Sequence, residues 1–268
     1  MSEIVYDRRG DGPPLVLIHG IGSRWQVWEP ILDQLATRYD VISIDIPGFG
    51  ASPVDPSVAI GARGYAQRIA AFISDLGLNS PAVAGNSMGG GIALELGRMG
   101  VASSVTAYSP IGFWSPIELR WCQVFFKVAR ASARRLRRFL PRIVTRAAGR
   151  IAVAQVLIGH PERLVPATLL DDLDGLLDCP GFNDALAAFS GYDVRDPSQD
   201  WGKLREVPTT IAWGSRDALL VYRTQSRRAR AAMPWARHLT LRSCGHVPFY
   251  DDPVQCANVL LDHSGGTA

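Results

Sequence analysis

The chain has 268 residues, 47% of them hydrophobic, and a net charge of +3. That length allows one sizeable core, or one core carrying an inserted lobe, and so small a charge argues against nucleic acid as a partner. No apolar run approaches the ~18–20 residues of a membrane span, and Met1-Ser2-Glu3 does not begin a basic-then-apolar signal peptide, so a cytoplasmic protein, monomer or homodimer, is expected.

Ile4–Tyr6 and Leu15–Ile18 read as strands joined by the turn-rich segment Arg9-Gly10-Asp11-Gly12-Pro13-Pro14. Trp25–Leu35 has Trp28, Ile31, Leu32 and Leu35 on one helical face. Val41–Ile44 is a strand, broken by Pro47-Gly48-Phe49-Gly50. A helix over Tyr65–Leu76, a strand over Ala82–Ala84, a helix over Ile92–Met99 and a strand over Ser104–Tyr108 follow. The alternation then stops. Residues from about Ile111 to Asp196 read as helices punctuated by prolines, after which Thr209–Trp213, Leu219–Ala231, Arg237–Leu241 and Pro253–Leu261 restore the strand–helix rhythm. The tail from Ser264 is polar. This order predicts an α/β fold with a mostly parallel, doubly wound sheet. The expected core spans 1–110 and 197–268, with a helical cap at 111–196 over the strand ends where open sheets bind ligands.

Gly85-Asn86-Ser87-Met88-Gly89 stands between a strand and a helix. Small residues on either side of Ser87 permit a sharp turn that projects a serine hydroxyl alone from the sheet edge. A serine hydroxyl needs a general base. Of the five histidines, His246 lies in a loop after a strand and before the last helix. His238 sits inside a strand, His160 in the insertion and His263 at the end, while His19 is read as bracing its own loop. A carboxylate must orient the base. Asp217 follows strand Thr209–Trp213 and completes the order Ser87…Asp217…His246, with Asp193 and Asp196 as fallback acids. Two backbone N–H groups must meet the developing oxyanion. Met88 supplies one, and Ile21, in the His19-Gly20-Ile21-Gly22 loop, is the candidate for the other. Cys122, Cys179, Cys244 and Cys256 have no metal-ligand spacing and are expected as buried thiols.

These pieces, together with Asp45-Ile46-Pro47-Gly48-Phe49-Gly50-Ala51-Ser52, Trp213-Gly214-Ser215-Arg216-Asp217 and Gly245-His246-Val247-Pro248, resemble the α/β-hydrolase superfamily over nearly the whole chain. The resemblance implies the α/β-hydrolase fold with an inserted cap and a Ser-His-Asp triad. It also implies cleavage of carboxylic esters of small or medium apolar substrates without metal or cofactor. Family members have two strands before the His-Gly strand, whereas here there is room for one. Serine at position 87 excludes the aspartate-nucleophile branch. Carbon–carbon bond hydrolases, cofactor-free perhydrolases, acyltransferases and non-catalytic receptors of the same shape remain alternatives, although Val247 stands where the carbon–carbon hydrolases have tryptophan.

Between Lys127 and Arg150 lie nine cations and no acid, leaving 19 cations against 25 carboxylates in the rest of the chain. Arg130, Arg134, Arg138, Arg142, Arg146 and Arg150 recur every four residues. This stripe is read as a solvated face pairing with Asp171, Asp172, Asp174 and Asp178. The alternatives are a contact with an anionic membrane surface or with an acidic substrate group. Pro141 should start a second helix. Trp25, Phe113, Trp114 and Val247 are the candidate substrate contacts, from an aromatic set that also includes Trp28, Phe182, Phe189 and Tyr192.

Overall fold

The computed structural model describes residues 2–262 apart from 197 and 199; His263 and the polar tail fall outside the described residues. Seven strands, β1 (Tyr6–Arg9), β2 (Pro14–Ile18), β3 (Asp40–Ile44), β4 (Ala82–Asn86), β5 (Ser104–Tyr108), β6 (Thr209–Gly214) and β7 (Arg237–Leu241), form one sheet in the order β1-β3-β2-β4-β5-β6-β7. β1 runs antiparallel to β3, and the other pairings are parallel. Strands β2 to β6 are almost wholly buried because helices cover both faces of the sheet. Only the edges β1 and β7 keep exposed positions.

The helices are α1 (Glu29–Ala36), α2 (Ala62–Asp75), α3 (Met88–Met99), α4 (Pro116–Leu136), α5 (Leu140–Val144), α6 (Ala147–Ala154), α7 (Pro166–Leu177), α8 (Phe182–Ala188), α9 (Tyr222–Ala232) and α10 (Pro253–Leu261). Side chains alternate along each strand, so consecutive residues enter different cores. Val16, Ile18 and Val105 pack with α2 and α3, whereas Leu15, Leu17 and Ala84 pack with α1 and α10. The sheet is therefore doubly wound, as expected.

The first strand begins two residues later than expected. Asp7-Arg8-Arg9 is polar enough to look like turn, but an edge strand needs only one partner and tolerates charge on its open side. Arg8 makes a two-pronged bond to Asp40, with Nε–Oδ1 at 2.8 Å and Nη2–Oδ2 at 2.7 Å.

Between β5 and β6 the described residues contain helices α4–α8 and no strand. Helix α4 starts at a reciprocal cap. Ser115 Oγ accepts the Glu118 N–H at 3.4 Å, Glu118 Oε2 accepts the Ser115 N–H at 2.7 Å, and Pro116 occupies the first turn. Pro141 lies in the first turn of α5, where its missing N–H costs nothing. This segment is not a separate globule. Phe113, Trp114, Phe182, Phe189 and Tyr192 belong to the main core on the α2/α3 side, and Tyr192 Oη donates toward Gly91 O at 3.1 Å.

The arginine stripe is less of a solvated face than expected. Buried Arg130 donates to Leu176 O, Leu177 O and Cys179 O at 2.7–3.1 Å, closing the C-terminal end of α7. Arg150 does the same for α5 through Val144 O at 2.9 Å and Thr145 O at 3.1 Å. Helix ends leave carbonyls unpaired and negative, so guanidinium is a natural partner there. Of the four expected carboxylates, Asp174 and Asp178 bind Arg137, Asp171 binds Arg24, and Asp172 bonds Tyr250. Arg138, Arg142 and Arg146 are exposed.

Candidate active site

Ser87 sits between the last residue of β4 and the first of α3 with φ 58° and ψ −115°, a combination that side-chain-bearing residues avoid. The strain is held by backbone bonds: Ser87 N–H donates to Tyr108 O on β5 at 2.9 Å, and Ser87 O accepts Ile111 N–H at 3.1 Å. The flanking glycines are steric necessities. A Cβ at Gly85 would stand 2.0 Å from Gly89 O, and one at Gly89 would stand 2.1 Å from Ile18 O. Helix α3 thus begins directly behind the serine, where its dipole favours negative charge.

The acid and base loops are set by a second pair of glycines. A Cβ at Gly214 would lie 2.0 Å from Gly245 O, so the loops leaving β6 and β7 cross backbone against backbone. Trp213 Nε1 donates to Leu220 O at 3.0 Å and curls the acid loop. Asp217 Oδ1 accepts the Leu219 and Leu220 N–H groups at 3.0 and 2.9 Å, which leaves Oδ2 for His246 Nδ1 at 2.8 Å. Asp217 and His246 are both buried. With Nδ1–H directed at a carboxylate, a neutral imidazole carries its lone pair on Nε2. That nitrogen is buried and has no hydrogen-bond partner, so it is not bonded to Ser87 Oγ in this conformation. Ser87 and His246 line the same cavity, of about 110 Å³. Such pairs often draw together only as substrate binds.

The expected fallback acids are elsewhere: Asp193 pairs with Arg195, and Asp196 accepts from Ser198. His19 braces its loop as expected. Its Nε2 accepts the Ile46 N–H at 3.0 Å, and Nδ1 meets Gly20 O at 2.7 Å. Burial pushes its pKa down, consistent with a neutral ring that accepts at one nitrogen and donates at the other. His238 meets Met233 O and His160 meets Glu162, so neither competes as base. Ile21 lines the cavity, and Met88 opens α3, where the first N–H groups lack intrahelical acceptors. All four cysteines are buried free thiols. No cluster of three or more metal-binding side chains occurs among the described residues.

Of the expected substrate contacts, only Val247 lines this cavity. The backbone N–H of Trp25 donates to Asp45 Oδ1 at 2.8 Å, and its ring lies beneath Arg9. Phe113 packs on Trp213, and Trp114 on Phe189, both within the core. The segment between β5 and β6 supplies the walls instead, through Phe126, Leu157, Leu169, Leu173 and Leu176. Their helical spacing looks like ordinary core, and no local motif marks them.

Three polar residues were not legible in sequence. Asn86 Nδ2 donates to His246 O at 3.0 Å, tying the serine turn to the base loop. Asp251 accepts the N–H groups of Gly159 at 2.9 Å, His160 at 2.7 Å and Gly245 at 2.7 Å, fastening the segment after α6 to that same loop. The approach is close: a Cβ at Gly245 would stand 2.6 Å from Gly159 N and 2.7 Å from Leu157 O. Gly245→Ala is therefore expected to cost about 1–3 kcal/mol, lowering Tm by about 2–4 °C per kcal/mol. An unchanged melting curve would show that the loop around Gly159 gives way freely.

Asp172 is the third. It lines the cavity from α7, with Oδ1 3.2 Å from Tyr250 Oη. Burial raises its pKa to about 7, the Tyr250 hydrogen bond opposes the rise, nearby Asp171 adds to it and Arg24 lowers it. The folded protein thus holds this proton more tightly than the unfolded chain. Stability contributed by the protonated acid is full near pH 4 and declines as pH rises toward 7. Thermal melts at pH 5 and pH 8 should differ more for wild type than for Asp172→Asn, with wild type relatively weaker at pH 8. Identical differences would refute the shift.

A parallel sheet interrupted by helices, a strained serine before a helix and a buried His–Asp pair define a protein of the α/β-hydrolase class. The comparisons agree. The model of the alpha/beta hydrolase family matches residues 15–259, and the chain belongs to that family. A putative carbamate hydrolase of Pseudomonas savastanoi pv. phaseolicola is 26% identical over 267 residues, covering 97% of this chain and 96% of its own. A pimeloyl-acyl-carrier-protein methyl ester esterase of Aeromonas hydrophila subsp. hydrophila is 39% identical over 90 residues, 34% of each protein. The crystal structure of a bromoperoxidase from Bacillus anthracis superposes with a TM-score of 0.76 at 22% identity, covering 97% of this chain and 94% of that one. At that identity the likeness concerns the fold alone.

Proposed function

We propose that the protein is a serine esterase acting on apolar carboxylic esters through an acyl-enzyme, with residues 111–196 serving as its cap. The observation that carries this reading is the hydrogen-bonded His246–Asp217 pair in one cavity with the strained Ser87. The methyl ester esterase and carbamate hydrolase among its relatives support acyl chemistry of this kind.

Ser87 Oγ attacks the ester carbonyl while His246 Nε2 takes its proton. The negative charge that gathers on the carbonyl oxygen is met by the N–H groups of Ile21 and Met88. His246 then protonates the departing alkoxide, leaving an ester on Ser87. Water enters, gives its proton to Nε2 and attacks the acyl carbon, and the proton returns to Ser87 as the acid leaves. Asp217 holds the Nδ1–H throughout and stabilises the imidazolium.

A panel of p-nitrophenyl esters, run beside Ser87→Ala, tests the reading. Release by wild type and not by the variant is expected. Labelling of Ser87 by a fluorophosphonate without release of any ester would keep the nucleophile and discard the substrate class. With neither release nor labelling, the protein would be read as a binder.

A further inference from the structure

The cavity at Ser87 is small, about 110 Å³, against the ~300–1,000 Å³ usual for small-molecule sites. Beside it lies a larger space of about 600 Å³ lined by α4, α5, α6, α7 and Leu157. The two share five walls: Phe126, Val153, Leu157, Leu173 and Leu176. The described lining of the larger space carries no charged side chain. Ser132 is polar, and Trp121's indole N–H already donates to Ala218 O at 3.1 Å. Along its α4 side, Trp121, Val124, Val128 and Leu136 are left 40–58% exposed. Large apolar side chains gathered on one helix face usually mark a binding surface. From Phe126 to Leu136 the helix runs roughly 15 Å, so the groove is long.

We propose that this groove is the acyl-chain site: a substrate whose carbonyl lies at Ser87 lays a long alkyl chain along α4. The proposal rests on the serine esterase reading, and it names the class of ester, long-chain and not short-chain. The five apolar walls shared with the cavity at Ser87 argue for the occupant. An alkyl chain attached to a carbonyl at Ser87 has these shared apolar walls as its path, and a chain without polar atoms suits a groove without partners for them. Each methylene moved from water into the groove strengthens transition-state binding about fourfold.

Wild type, Ala129→Trp and Ala152→Trp are compared on p-nitrophenyl butyrate and dodecanoate. Both alanines line the groove and neither lines the cavity at Ser87. Wild type should prefer dodecanoate. The tryptophans should lower kcat/KM for dodecanoate at least tenfold while butyrate changes less than twofold. A parallel measurement, independent of turnover, follows a fluorescent long-chain fatty acid binding to Ser87→Ala, with and without Ala129→Trp. Binding that Ala129→Trp abolishes upholds the groove even if no ester is cleaved, in which case the esterase reading alone falls. Cleavage of both esters without chain-length preference, or fatty-acid binding unaffected by Ala129→Trp, overturns the proposal. So does a change in solution mass caused by the tryptophans with selectivity intact, which would make the groove a contact between copies of the chain.

Discussion

Ser87→Ala and His246→Ala are each expected to lower kcat by about 10⁴–10⁶, and the double variant by no more than the worse single one. In the proposed mechanism the two residues perform one event, transfer of a proton as the Oγ–carbon bond forms. Once either is gone, the other has nothing to act on. Both side chains are buried beside the same cavity, and alanine at either leaves the glycine-supported backbone turns untouched. Melting curves should therefore stay close to wild type. Multiplicative losses in the double variant would mean that the two act separately, and the proposed mechanism would be wrong.

Asp217→Asn should cost about 10⁴ in kcat with little loss of structure. The asparagine oxygen can still accept the Leu219 and Leu220 N–H groups, so the acid loop keeps its shape. Its amide nitrogen then faces Nδ1 as a donor and forces the proton onto Nε2. That is the nitrogen that must receive the serine proton, so the base is present in the wrong tautomer. Steady-state kinetics at neutral pH and at a more alkaline pH would check this. Near-normal turnover would place the orienting carboxylate elsewhere. No other described acid reaches His246: Asp193 and Asp196 are bound to Arg195 and Ser198.

The features legible in the sequence were the short-range ones. Gly85 and Gly89 flank Ser87 because the turn geometry demands it within five residues, and the strand–helix context is read from adjacent periodicity. Chain order then picked Asp217 and His246 from the other acids and histidines. What escaped depends on contacts between distant segments. Asn86 stands inside the serine motif, yet its role comes from a carbonyl 160 residues away. Asp172 looks like one more carboxylate opposite an arginine stripe, and only the packing of α7 over the serine turns it into the cavity. Trp25, Phe113 and Trp114 have the chemistry of pocket walls but are used by the core and the β1 edge. Aromatic character says nothing about which side of a sheet a residue will face. The first strand was expected at Ile4–Tyr6, and its shift to Tyr6–Arg9 has a related reason, since pairing with β3 is not a local property.

The fastening at Asp251 has a consequence for exchanging parts between relatives. Three amides converge on one carboxylate, two from the proposed cap and one from the residue before His246. A donor cap grafted at the ends of the insertion would arrive with its own loop in place of Gly159 and His160. Unless that loop offered two N–H groups at the same spot, Asp251 would be left half-bonded and the base loop would lose its support. Specificity in this scaffold is therefore not a detachable cassette. A recombinant with a new cap would need residues 157–160 retained from this parent, or it would change the catalytic rate along with the substrate.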